Sequence, residues 1–196
     1  GNIMSLLTSF INQNVYIVSA KRTAIGKFQG AFKSVSAPKI GSFAIKAAVA
    51  ESKIPVELIE ECIMGQVLTA GSGQSPARQA ALYAGLSEGV RALTVGKVCG
   101  SGLKAVTLGA SNIALGHSQV IVAGGQECMS AVPYLLPSAR DGFRMGHKEV
   151  IDFLILDGLW DPYNKLHMGS CAELCAREFQ FSKSEQDDFA MESYKR

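Results

Sequence analysis

The stretch Thr94-Val95-Gly96-Lys97-Val98-Cys99-Gly100-Ser101-Gly102-Leu103-Lys104-Ala105 puts a thiol at the end of an apolar strand, on a glycine-rich turn, where a helix begins. The glycines permit a sharp turn and close approach by a substrate. A helix N-terminus offers partial positive charge and free N–H groups. Both stabilise a thiolate. The same amides can hydrogen-bond the oxyanion that develops on an attacked carbonyl. The chemistry would be nucleophilic acyl transfer from a strand–nucleophile–helix elbow. The competing reading of Cys99 is a small hydrophobe filling space beside a turn. A dinucleotide fingerprint fits poorly, because Ala105 stands where the third glycine is needed.

The other reactive residue types give weaker signals. The five cysteines are odd in number and irregular in spacing, which argues against a disulfide framework and for a reducing compartment. Cys62 and Cys128 read as small hydrophobes at strand ends. His167, Cys171 and Cys175 follow at i, i+4 and i+8. Gly169 and Ser170 place a helix start after His167, and no fourth ligand is expected, so core packing is favoured over metal. His117 lies at the far end of the helix that Cys99 leads into, about 27 Å away at about 1.5 Å per residue. An interaction with that helix C-terminus is expected of it rather than catalysis. The basic loop of Lys21, Arg22, Lys27 and Lys33 is expected to be solvated surface and subunit contact, and Arg78 to brace a subunit interface.

These residues need a scaffold. Val15 to Val18 reads as a buried strand, Pro38 to about Ser52 as a helix, Val56 to Glu61 as a short helix and Cys62 to Val67 as a strand. Ser75 with Pro76 opens a helix that ends near Gly85. Ala92 to Val98 is the next strand, Leu103 to Leu115 a helix closed by Gly116, and Gln119 to Gly124 another strand. Four strand–helix alternations point to an α/β fold with a mainly parallel sheet and covered faces. After Gly125, prolines, glycines and mixed charge mark a long excursion. A last helix, Ser184 to Arg196, has Ser182 or Ser184 as its cap and Glu185 in its first turn. The formal net charge of +2 leaves no basic footprint for nucleic acid. No apolar run reaches the roughly 18 residues of a membrane helix.

Five ordered motifs make the chain resemble thiolases of the acetyl-CoA acetyltransferase branch. They are Val18 to Phe28, Gly71 to Ala81, Val98 to Val106 around Cys99, Val122 to Ser130, and His167-Met168-Gly169-Ser170-Cys171-Ala172-Glu173. The resemblance implies a thiolase-like fold: an N-terminal extension or tag over 1–13, the N-terminal core half over 14–129, and a partial loop domain over 130–196. It implies that Cys99 takes an acetyl group from acetyl-CoA, and that the acetyl-enzyme then condenses with a second acetyl-CoA to acetoacetyl-CoA, or runs the reverse. The backbone N–H of Cys99 would be half of an oxyanion hole. His167 and Met168 would shape the acyl pocket, and Tyr194 would touch coenzyme A and a potassium ion. The family's Gly-His-Pro histidine, its Cys-x-Gly-Gly-Gly cysteine and its water-positioning asparagine have no counterpart in residues 1–196, so the chain is expected to be the first half of the enzyme.

A homodimer or homotetramer is implied, in the cytoplasm or the mitochondrial matrix, with Val132 to His147 as the tetramer-forming hairpin. Rival readings are a non-catalytic fragment or assembly subunit that needs a partner chain, and a ketoacyl-synthase-like condensing enzyme. Thiolases usually carry asparagine where Gly96 stands, methionine at Gln126 and serine at Cys128. Gly96 in particular raises the question of what braces the nucleophile loop.

Overall fold

The computed structural model describes residues 14–196. The expected extension or tag over 1–13 lies outside the described residues. The chain divides into two compact units, one running through Leu154 and the other spanning Ile155–Arg196.

The first unit is built on a three-stranded parallel sheet of order β2-β1-β3, with β1 at Glu61–Gly65, β2 at Arg91–Val95 and β3 at Ile121–Gly125. All five residues of the central strand β1 are buried. Strand alternation sends Cys62 and Met64 to one face and Ile63 and Gly65 to the other. On the first face, helices α1 (Ala37–Ser52) and α2 (Pro76–Tyr83) supply Ile45, Ala77, Ala80 and Ala81 to a core shared with Cys62, Met64, Leu86 and Val90. On the second face lies α3 (Ser101–Ala114), where a Cβ on Gly109 would lie 3.3 Å from Ile121. The α/β class expected from the alternating pattern is therefore present, with helices on both faces.

The helix ends follow local chemistry. Past α2, Gly85 is at φ +88°, and Leu86 N–H and Gly85 N–H donate to the Ala81 and Leu82 carbonyls at 3.0 Å each. Past α3, Gly116 is at φ +73°, and His117 N–H and Gly116 N–H donate to Asn112 and Ile113. Both are the αL closures that glycine favours. His117 thus meets the helix C-terminus through its backbone. Its carbonyl accepts from Arg91, which also donates to Ser118.

Several expectations are corrected. Val15 to Val18 forms no regular structure, and Tyr16, Ile17 and Val18 are exposed. A strand needs a hydrogen-bonding partner as well as apolar residues. Among the described residues β3 pairs only with β1, and a groove of about 340 Å³ separates Val15 to Lys21 from the β3 edge. Among the described residues the sheet accordingly has three strands, not four. The Val56 helix is a single 3-10 turn, Val56–Leu58. The strand before Cys99 stops at Val95, short of Val98, and the helix after it begins at Ser101, earlier than Leu103. Ser75 sits in the left-handed region and makes no side-chain cap to α2. Thr94 from β2 does that work instead, its Oγ1 accepting the Ala77 N–H at 3.0 Å. Within the chain, Arg78 donates to the Val90 and Glu88 carbonyls at 2.6 Å each.

The excursion after β3 contains an antiparallel pair, β4 (Tyr134–Leu135) with β5 (Ile151–Asp152). The second unit contains the pair β6 (Trp160–Asp161) with β7 (Leu166–His167), then α4 (Met168–Glu178) and α5 (Lys183–Lys195). Asp161 holds the intervening turn by accepting the Tyr163 N–H and the Asn164 amide. Ser182 caps α5 in a reciprocal capping box with Glu185, whose carboxyl lies below its usual range because the Ser182 backbone and side chain donate to it.

Candidate active site

Cys99 is exposed, on the turn that joins β2 to α3. The turn is closed by Gly100 N–H to the Lys97 carbonyl and Ser101 N–H to the Val98 carbonyl, each at 3.0 Å. The first helical bond runs from Lys104 N–H to the Gly100 carbonyl at 2.8 Å. The Cys99 N–H takes no part in these turn bonds. A thiol here stands beside the positive end of a helix dipole and is open to solvent. This favours the nucleophile reading over the small-hydrophobe reading, which requires burial.

The seat of the turn is set by glycines. A Cβ on Gly65 would lie 2.4 Å from the Ser101 carbonyl carbon and 2.6 Å from the Gly102 nitrogen. One on Gly125 would lie 3.1 Å from the Gly102 Cα. The first turn of α3 therefore rests directly on the backbone at the C-terminal ends of β1 and β3. Ligand sites of parallel sheets form at that end of the strands.

Polar groups below the turn tie the strand ends together. Gln126 Nε2 donates to Gln66 Oε1 at 2.9 Å, and Gln66 Nε2 donates to the Leu68 carbonyl and Ser72 Oγ at 2.9 Å each. Gln126 Oε1 is buried with no partner, facing Gly41. Glu127 accepts the Val67 N–H at 2.8 Å. Burial raises the Glu127 carboxyl above its ordinary value, opposed by the backbone bonds from Val67 and Leu68. The sequence signalled neither the Gln66–Gln126 pair nor the Glu127–Val67 bond, because each joins residues about 60 positions apart.

The other cysteines differ in environment. Cys62 is wholly buried, and loss of solvation pushes its thiol up to about 12. Cys128 is half-buried, with its Sγ 3.5 Å from the Phe32 carbonyl. In the second unit, His167 caps α4: its Nδ1 accepts the Gly169 N–H at 3.0 Å. That bond leaves the protonated Nε2 as the ring's donor. Met168 is the first residue of the same helix and 40% exposed. Tyr194 is on α5 and 95% exposed. The structure thus brings His167 and Met168 together at one helix start. Among the described residues no group of three or more His, Cys, Asp or Glu side chains is placed to hold a metal ion.

Comparison with known proteins decides the family. Residues 15–196 match the model for the thiolase N-terminal domain. The chain belongs to the thiolase family. This thiolase chain is 55% identical over 180 residues to an acetyl-CoA acetyltransferase of Cupriavidus necator, a match covering 92% of the chain and 46% of the relative. It is 53% identical over 184 residues to a mitochondrial acetyl-CoA acetyltransferase of Aspergillus fumigatus, covering 94% of the chain and 42% of the relative. It is 49% identical over 184 residues to acetyl-CoA acetyltransferase 2 of Arabidopsis thaliana, covering 94% and 46%. The chain thus spans less than half the length of these curated relatives.

Proposed function

We propose that the chain is the nucleophile-bearing N-terminal half of an acetyl-CoA C-acetyltransferase. The observation that carries this reading is the exposed Cys99 thiol on a turn seated at the sheet's C-terminal end, directly before α3. The Cys99 thiolate attacks the carbonyl carbon of acetyl-CoA, the oxyanion is met by the Cys99 N–H, and coenzyme A leaves as its thiolate. The acetyl group then rests on Cys99 Sγ. The enolate of a second acetyl-CoA attacks it, releasing acetoacetyl-CoA and restoring the thiolate.

The acid–base groups for these steps belong, in this reading, to the part of the relatives' length that residues 1–196 do not span. His167, through its Nε2–H, and Met168 serve the acyl pocket, and Tyr194 contacts coenzyme A. The excursion from Ser130 onward belongs to the loop domain, and the complete enzyme is a homodimer or homotetramer. None of the described helices is long and apolar enough to cross a membrane. A cytoplasmic or mitochondrial-matrix setting fits the free thiols and the mitochondrial relative.

The test is peptide mapping of the full-length enzyme after incubation with acetyl-CoA. An acetyl thioester is expected on the Cys99 peptide, and Cys99→Ser should abolish it together with acetoacetyl-CoA formation. A label on Cys128 or Cys171 that survives in Cys99→Ser would overturn the assignment.

A further inference from the structure

Ser101 is the first residue of α3 and only 3% exposed. Its Oγ accepts the Lys97 N–H at 2.7 Å and donates to the Val98 carbonyl at 2.7 Å. One buried oxygen therefore ties both residues that precede Cys99 to the helix that follows it. Val98 is held at φ +45°, in the left-handed region that is strained for a β-branched residue. Its side chain is 56% exposed, so side-chain burial does little to offset that strain. Gly96 supplies no brace: a Cβ there would meet nothing within 4 Å. The bonds holding the left-handed turn come from its backbone and from the Ser101 hydroxyl.

We propose that Ser101 is a positioning residue for acyl transfer: its buried hydroxyl holds Val98 in the left-handed conformation and so aims the Cys99 thiol and N–H at the thioester carbonyl. This rests on the reading of Cys99 as the nucleophile. Ser101 acts through the backbone of Val98 and exchanges no proton with substrate. Without the hydroxyl, Val98 relaxes toward negative φ, and Cys99 turns with it.

In the full-length enzyme, Ser101→Ala should lower kcat about 100-fold while KM stays within about twofold, as expected for a misaimed group that does not bind substrate. Alkylation of Cys99 by iodoacetamide should slow in parallel. Adding Val98→Asn should restore at least about tenfold, because asparagine tolerates the left-handed region where valine does not. A merely structural serine would not be rescued in this way. If Ser101→Ala cannot be obtained folded, Val98→Pro at the exposed neighbouring site fixes φ near about −65° and should lose kcat to the same extent.

Wild-type kcat in Ser101→Ala or Val98→Pro would overturn the proposal, as would a loss that Val98→Asn leaves untouched. Failure of the underlying reading shows separately, as absence of acetyl label on Cys99 in the unsubstituted enzyme. The alkylation rates still judge the positioning claim in that event, a slowed Ser101→Ala supporting it and an unchanged one refuting it.

Discussion

Cys62 and Cys99 lie on the same unit and differ in what surrounds the sulfur. Cys99 faces solvent at the head of a helix, while Cys62 lies in the core on the central strand. Burial keeps the Cys62 proton on the folded chain up to about 12, against an ordinary value of 9.0. Above that ordinary value the unfolded state binds fewer protons than the folded one, so stability falls as pH rises. The loss is roughly 1.4 kcal/mol per pH unit up to the folded value, and below the ordinary value Cys62 adds no pH dependence. Urea unfolding midpoints measured from pH 8 upward should show this alkaline limb, and Cys62→Ala should flatten it. An unchanged limb in Cys62→Ala would place the loss on other groups.

At the scale of elements, the Cys99 turn depends on how closely α3 approaches the sheet. Gly65 ends β1 directly beneath Ser101 and Gly102. Those contacts are backbone atoms, which cannot swing aside as a flexible side chain can. Gly65→Ala therefore forces the start of α3 away from the strand, at about 1–3 kcal/mol of overpacking. Chemical denaturation should show that loss. Because Cys99 leads into the same turn, acetyl transfer by the full-length enzyme should fall at least about tenfold. A Gly65→Ala variant with unaltered stability and activity would mean that the turn does not rest on β1. Gly96 has no such constraint, since its surroundings are open. The brace expected from an asparagine at that position is replaced by the Ser101 hydroxyl on the other side of Cys99.

At the scale of the molecule, the described residues leave much apolar surface uncovered. Ile17, Ile25, Met145 and Phe189 are each between 79% and 94% exposed, and among the described residues neither β2 nor β3 pairs along its outer edge. Uncovered apolar area and open strand edges both favour association. Purified chain 1–196 should bind a hydrophobic fluorescent dye strongly and self-associate at micromolar concentration. A monodisperse monomer without dye binding would contradict this. The same chain, lacking the acid–base groups assigned to the rest of the relatives' length, should form no acetoacetyl-CoA at a rate typical of the family. Robust turnover by it, free of any partner, would refute that division of labour.

The sequence by itself determined the features that depend on neighbours a few residues away. The αL closures at Gly85 and Gly116, a serine cap with Glu185 in the first turn of α5, the start of α4 after His167 and the placement of Cys99 between a strand and a helix are all of this kind. Their signals are short-range, because a cap or a turn is made by the residues next to it. Only the tertiary structure decided matters in which distant parts meet. Val15 to Val18 has the composition of a strand, yet among the described residues no strand pairs with it. The cap of α2 comes from Thr94 on β2 rather than from the adjacent Ser75. The Gln66–Gln126 pair and the Glu127 bonds join positions about 60 apart. Ser101 lies only two residues from Cys99, but its hydroxyl gained its role from burial beneath the turn and from the left-handed backbone of Val98, neither of which residue type or spacing announces.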